Sequence, residues 1–150
     1  MTNILKKEIL IDADAEAIWL HLTQPELMKK WIGEPQMNIE IETNWRVGSP
    51  IIISGFHHVK FKNEGIILQY EPNKLLKYTH LDSVSRLPDI PENQTILEFI
   101  LSPFKDGTQL SLTITNFPTV TIFKHLEFYW RGTLEIFKRV VENQQEQVLE

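Results

Sequence analysis

The sequence predicts an α+β fold, a chiefly antiparallel sheet covered by one long C-terminal helix. Three observations carry that expectation. Phe123 to Val148 reads as a single helix, because Leu126, Trp130, Leu134, Phe137 and Val141 recur at spacings of 4, 4, 3 and 4 and so form one apolar stripe. Seven short runs upstream alternate apolar with polar or are rich in β-branched residues, as half-buried strands do. Strands and helices never alternate in the βαβ manner, which argues against a doubly wound parallel sheet. An antiparallel sheet with one apolar face needs cover. Only the last stretch, whose ~24 residues at 1.5 Å each span about 36 Å, is long enough to provide it.

The elements follow in order. In residues 4–11, Leu5, Ile9 and Ile11 share a face with Lys7 at its edge, which predicts a strand. Asp12 or Asp14 offers an N-cap for a short helix containing Ala17, Ile18, Trp19, Leu20 and Leu22. Thr23 or Gln24 then caps a second short helix. Pro25 takes its first position, Leu27, Met28 and Trp31 lie within it, and Gly33 and Pro35 stop it. Met37 to Thr43 alternates as a strand. Asn44 to Pro50 is a turn, and Ile51 to Phe56 is a second strand. His57 to Lys62 continues that strand or forms a loose hairpin, and Asn63-Glu64-Gly65 reads as a turn. Gly65–Tyr70 and Leu75–Leu81 pair through Glu71-Pro72-Asn73-Lys74. Asp82 to Asn93 is a long polar loop. Thr95–Leu101 and Thr108–Thr115 are strands joined by a turn over Pro103 to Gly107, and Leu110, Leu112 and Ile114 point inward. Gly132 interrupts the final helix at a cost of roughly 1 kcal/mol relative to alanine, which suggests close approach of another group.

The totals bound the function. A chain of 150 residues is expected to form one domain with one core. Its net charge of -5 and scattered Lys and Arg residues leave no basic surplus for nucleic acid. With no cysteine there is no disulfide, thiol nucleophile or thiolate metal site. Charges interrupt every apolar run at the N-terminus, and no run reaches the ~20 residues of a membrane span, so a soluble cytoplasmic protein is expected.

The run Ile11-Asp12-Ala13, Ala17-Ile18-Trp19, Leu22-Thr23-Gln24-Pro25-Glu26-Leu27 and Trp31 resembles the opening of the START-like, birch-allergen-like helix-grip superfamily (SRPBCC). Gly48, Gly65, Glu71-Pro72, Leu76, Tyr78, Asp106-Gly107-Thr108, Leu110, Leu112, Trp130 and Leu134 continue the match in order over nearly the whole chain. Within that superfamily the chain is most similar to the bacterial branch related to the heat-shock-protein ATPase activator. The resemblance implies a helix-grip fold: a curved antiparallel sheet of six or seven strands wrapped around the long C-terminal helix, with two short helices after the first strand. It also implies a largely apolar cavity between sheet and helix. Members bind lipids, hormones or polyketides, cyclise polyketides, or assist chaperones, and fold alone does not choose among these.

Candidate chemistry is sparse. His57 and His58 point to opposite faces if they lie on a strand, and His21, His80 and His125 show no metal spacing, so no metal site is expected. His80 shares a face with Leu76 and Tyr78. It is either a hydrogen-bonded rim histidine or a polar anchor for a ligand carbonyl or hydroxyl. Trp31, Trp45, Phe56, Tyr78, Phe99, Phe128, Trp130 and Phe137 come from separate elements and either pack as core or line a cavity. The candidate cavity residues are Trp31, Trp45, Phe56, Tyr78, His80, Phe99, Trp130, Leu134 and Phe137, with the loop Asp82–Asn93 near the entrance. No carboxylate pair, phosphate loop or nucleophile elbow stands out, and no cofactor is expected. The first reading is a module that binds a small apolar or amphipathic molecule. A chaperone as partner is the second, and a polyketide cyclase using Tyr78 with His80 is the third. An inner volume of about 300 Å³ or more favours the first and a filled interior the second.

Overall fold

The computed structural model describes residues 3–149, with side chains through 144. The elements are β1 (Leu5–Ile11), α1 (Ala15–Thr23), α2 (Pro25–Ile32), β2 (Glu40–Glu42), β3 (Pro50–His57), β4 (Val59–Glu71), β5 (Leu75–His80), β6 (Thr95–Phe104), β7 (Gly107–Thr115) and α3 (Val120–Leu149). The seven strands form one sheet in the order β1-β7-β6-β5-β4-β3-β2, antiparallel at every pair. Two short helices follow β1, and α3 closes the chain, so the predicted α+β helix-grip architecture is the one observed.

Alternation along each strand places the core. One inner row crosses five strands through Leu5, Ile114, Leu97, Tyr78 and Ile67, all buried. The next runs through Leu112, Phe99, Leu76 and Tyr70, with Lys7 at its β1 end. On α3, Leu126, Trp130, Leu134, Phe137 and Val141 are all buried, joined by Ile122 one turn earlier. Burial of each such side chain contributes about 1.5–3 kcal/mol. This long apolar seam is what holds α3 against the sheet.

Polar ties fix the two ends of the helical layer. The Asp14 carboxylate accepts from the Ala17 amide at 2.9 Å and so caps α1, while Gln24 precedes α2 without a side-chain cap. The Thr108 hydroxyl donates to the Ala13 carbonyl at 2.8 Å, joining the β1–α1 corner to β7. On α3, Lys138 donates to the Leu10 carbonyl at 2.6 Å and to Glu142 at 2.8 Å, and Glu142 accepts from the Asp12 amide at 2.8 Å. Burial works against the Glu142 carboxylate, but the Asp12 amide and Lys138 outweigh it and hold its pKa below the ordinary value.

Three local expectations need correction, and one open choice is decided. The strand expected over Met37–Thr43 pairs only at Glu40–Glu42. Pro35 opens a 3₁₀ turn through Met37, and Asn38 takes a left-handed φ of 50°. Ile39 and Ile41 are still buried, so the alternation there reports burial rather than pairing. Of the two readings of His57–Lys62, the hairpin is the one observed. His58, at φ 66°, makes a tight turn that pairs His57 with Val59 and sets the two rings 4.5 Å apart. Residues 63–65 are not a turn but the middle of the 13-residue β4. Gly65 serves close packing there, because a Cβ would run into the Thr79 carbonyl on β5. A register shift between Ile67 and Gln69, with Leu68 as the extra residue, follows immediately. Phe128, placed among the candidate core aromatics, is 75% exposed on the outer side of α3.

His21, which shows no metal spacing in the sequence, is a structural residue. It is 3% exposed in α1, its Nδ1 bonds the Ala17 carbonyl at 2.8 Å, and its ring stands edge-on to Phe137. Its Nε2 is buried without a partner. Burial lowers its pKa below 6.5, the Ala17 bond opposes that, and Lys30 adds to the lowering. The folded state therefore favours neutral imidazole, and the unfolded chain takes up the proton first as pH falls. This contribution to stability is complete above about pH 6.5 and is lost as pH drops towards the lower folded value.

Two outcomes are expected. Gly65→Ala, measured by urea unfolding at neutral pH, lowers stability by about 3 kcal/mol or more, since the new methyl must push β4 off β5; an unchanged midpoint contradicts the role given to Gly65. The urea midpoint of the native protein falls between pH 7 and pH 5, and His21→Leu reduces that slope; an identical slope in the variant assigns the acid sensitivity elsewhere.

Candidate functional site

Six of the nine candidate residues converge between the sheet and α3. Trp31 reaches up from α2, its indole N–H donating to the His21 carbonyl at 2.8 Å. Its ring lies 6.0 Å from Trp130 and 5.1 Å from Phe137. Trp130 in turn lies 5.8 Å from Phe99, and Phe99 stacks on Tyr78 at 6.0 Å. With Leu134 these side chains are all at most 5% exposed. Such separations are those of aromatic rings in contact. The space where the fold resemblance implies a cavity is thus occupied by the rings themselves.

The other three candidates lie apart from that cluster. Trp45 donates to the Thr23 carbonyl at 2.8 Å and stacks on Tyr70, which meets Trp19 edge-on, so it belongs to a second aromatic group beside α1. His80 ends β5, half-buried. Phe56 is 49% exposed near the tip of the β3–β4 hairpin.

Around His80 the structure assembles groups that spacing alone did not reveal. Tyr78 and His80 lie on one face of β5, and His125 and Tyr129 lie one turn apart on α3. The Tyr129 hydroxyl donates to the Ile32 carbonyl at 2.6 Å. Burial pushes this phenol up to about 12, and a hydrogen bond with Thr133 opposes the rise. Burial likewise raises Tyr78, with Tyr129 adding to the effect. Burial lowers His80, Asp82 opposes that, and His125 lowers it further. At neutral pH His80 is therefore a neutral imidazole, and Tyr78 and Tyr129 are protonated phenols. These are hydrogen-bonding groups, and neither tyrosine is a phenolate. Pairing by four-residue spacing on the last helix was the available signal for His125 and Tyr129.

A larger hollow lies away from this cluster. A groove of about 590 Å³ opens beneath the β3–β4 hairpin, with Met37, Gly55, Phe56 and Phe61 on its walls and Lys60 and Lys62 among its residues. Its shape has local causes. The 3₁₀ turn and left-handed Asn38 carry Met37 across β3, and Gly55 permits that close approach, since a Cβ there would lie 2.9 Å from the Met37 carbonyl and 3.0 Å from the Phe61 ring. Ser83 closes the far side. Its hydroxyl accepts from the Lys62 amide at 2.9 Å and its own amide donates to Asn63 at 3.0 Å. Ser83, at the start of the loop Asp82–Asn93, thus borders this groove rather than the space between sheet and α3. A smaller hollow of about 210 Å³ lies between β1 and α3, beside Lys7, Ile9, Trp130 and Leu134. Among the described residues no group of three or more His, Asp or Glu side chains could hold a metal ion, and no helix is long and apolar enough to cross a membrane.

Comparison with known proteins places this geometry. No curated protein matches the chain. Among solved structures, the protein ChR145 from Cytophaga hutchinsonii superposes with a TM-score of 0.79 at 28% identity, covering 97% of this chain and 98% of that one. The Aha1 dimer from Colwellia psychrerythraea gives 0.74 at 24% identity, covering 93% and 96%. CalU16 from Micromonospora echinospora gives 0.65 at 20%, covering 97% and 78%. The latter two likenesses speak for the fold alone. The model of the family described as Activator of Hsp90 ATPase homolog 1-like protein matches residues 12–142. With that match running from the β1–α1 corner to the last buried turn of α3, the chain belongs to the family of Activator of Hsp90 ATPase homolog 1-like proteins.

Proposed function

We propose that this protein is a binding module for a small apolar or amphipathic molecule, and that the groove beneath the β3–β4 hairpin is where the molecule sits. The observation that carries the reading is room. The groove, at about 590 Å³, exceeds the ~300 Å³ that small-molecule sites need; the ring-against-ring packing of Trp31, Phe99, Trp130 and Phe137 in the interior by itself favours a chaperone partner, and the groove outweighs it. Met37, Phe56 and Phe61 supply an apolar wall, and Lys60 and Lys62 a polar margin. Of the candidate ligand contacts, Phe56 is the one on this groove. Tyr78 and His80 are assigned hydrogen bonding to a ligand, the imidazole neutral and the phenol protonated near pH 7.

A chaperone as partner remains the second reading. It is supported by the family and by two exposed apolar side chains at the hairpin tip, Phe56 and Val59, each about half exposed. Stimulation of a purified chaperone ATPase that Phe56→Asp abolishes would select it.

The binding reading has a direct test in amide and indole NMR shifts during titration with a medium-chain carboxylate such as decanoate. The expected result is saturable shifts at Gly55, Phe56, Phe61 and Lys62, with affinity reduced about tenfold in Phe56→Ala. Shifts centred on the Trp31 and Trp130 indoles would move the site into the sheet–helix interior, and none at all would remove the small-molecule reading.

A further inference from the structure

The tip of the β3–β4 hairpin combines exposed apolar side chains with unbalanced charge. Residues 56–60 are all exposed, Phe56 and Val59 each by about half. Phe56 pairs with Lys60, and His57 pairs with Val59. Cross-strand partners share a face, and successive rungs alternate between faces. Phe56 and Val59 therefore stand on opposite faces of the hairpin, at its last two rungs. A groove on a partner protein would cover one face and leave the other apolar side chain in water. A medium that surrounds the tip covers both. The charge narrows the choice further. No carboxylate lies between Glu42 and Glu64, whereas Arg46, Lys60 and Lys62 all fall there, in a chain of net charge -5. Nearby carboxylates are already engaged, Glu64 at 3.6 Å from Lys62 and Glu40 at 3.5 Å from Lys29. Among the described residues Lys60 forms no ion pair.

We propose that the hairpin tip docks end-on in an anionic lipid bilayer. Phe56 and Val59 enter the boundary between headgroups and acyl chains, a depth of ~5–10 Å for interfacial elements. Lys62 lies three residues behind Val59 on β4, about 10 Å at the rise of a strand, and so stands at the level of the lipid phosphates. Lys60 starts deeper and reaches back to the same level along its own methylenes. The rest of the chain is negative overall and is repelled by such a membrane, which makes the tip the docking end. Two apolar side chains and two lysines give a weak, reversible attachment that salt loosens. The proposal does not rest on the ligand reading, because Val59 lies off the groove.

Flotation of the full chain with lipid vesicles tests the proposal. The expected result is binding to phosphatidylcholine vesicles rich in phosphatidylserine, about tenfold weaker with phosphatidylcholine alone and weakened by raised salt. Val59→Asp and Lys60→Glu each weaken binding about tenfold. Ile4→Asp, at an exposed apolar site on β1's approach, leaves it unchanged. All three sites face solvent, so the variants are expected to keep the fold, which thermal unfolding checks. Absence of binding to the anionic vesicles overturns the proposal, as does equal binding to neutral ones, or binding indifferent to Val59→Asp and Lys60→Glu. A chaperone ATPase effect that Val59→Asp abolishes, with no vesicle binding, gives the tip to a protein and also overturns it. The decanoate titration is expected to be unchanged in Val59→Asp, so a failure of the ligand reading is seen separately.

Discussion

The seating of one helix stripe on one sheet face is the constraint on which the rest of this structure depends. Neither surface is stable alone. The inner rows of β5, β6 and β7 present Leu76, Tyr78, Leu97, Phe99, Leu110, Leu112 and Ile114, and α3 covers them with Leu126, Trp130, Leu134, Phe137 and Val141. α2 adds Trp31 from the side, so three elements meet at one aromatic contact. The polar devices serve that seat. Lys138 and Glu142 tie α3 to the backbone at Leu10 and Asp12, and Gly65 lets β4 lie tightly on β5 beneath it. Groups buried near it pay a desolvation cost, which accounts for the lowered pKa of His21 and the raised pKa of Tyr78.

A filled seat has consequences for function. Members of a helix-grip superfamily are expected to use the space between sheet and helix, and here aromatic rings occupy it. What remains open is the periphery, where the sheet runs past the end of the helix. The β3–β4 hairpin extends beyond the α3 seam, and the 3₁₀ turn at Pro35–Met37 leans over it, leaving the groove between them. Rigid core and open rim thus arise from one cause. The aromatic residues that stabilise the grip leave only a hollow of about 210 Å³ beside Trp130 and Leu134, smaller than the groove at the hairpin.

The sequence made the grip legible and the rim obscure. The α3 stripe and the Leu110–Leu112–Ile114 alternation were readable because burial imposes a period on apolar residues, 3.6 on helices and 2 on strands. Leu5, Ile9 and Ile11 were readable for the same reason, with Lys7 correctly at the edge. The Met37–Thr43 run shows the limit of such reading: its alternation is real, but Pro35 and the left-handed Asn38 turn the chain before pairing can begin. Gly65 misled because glycine serves both turns and close strand contacts, and only the Thr79 carbonyl opposite it decides between them. The convergence of His80 with His125, and of Tyr78 with Tyr129, depends on how β5 and α3 align, which no local pattern encodes. Whether nine aromatic and polar candidates enclose a space or fill it depends on ring orientations, for which composition carries no signal.

The central claim is that α3 and the sheet form one closed cooperative unit rather than a lid over a chamber. Native-state hydrogen exchange measures this directly. The account predicts that the amides of Trp130 to Val141 exchange only through global unfolding, with the same free energy and the same denaturant dependence as those of β5, β6 and β7. Exchange of α3 through a separate opening, at markedly lower free energy than the sheet, would contradict it.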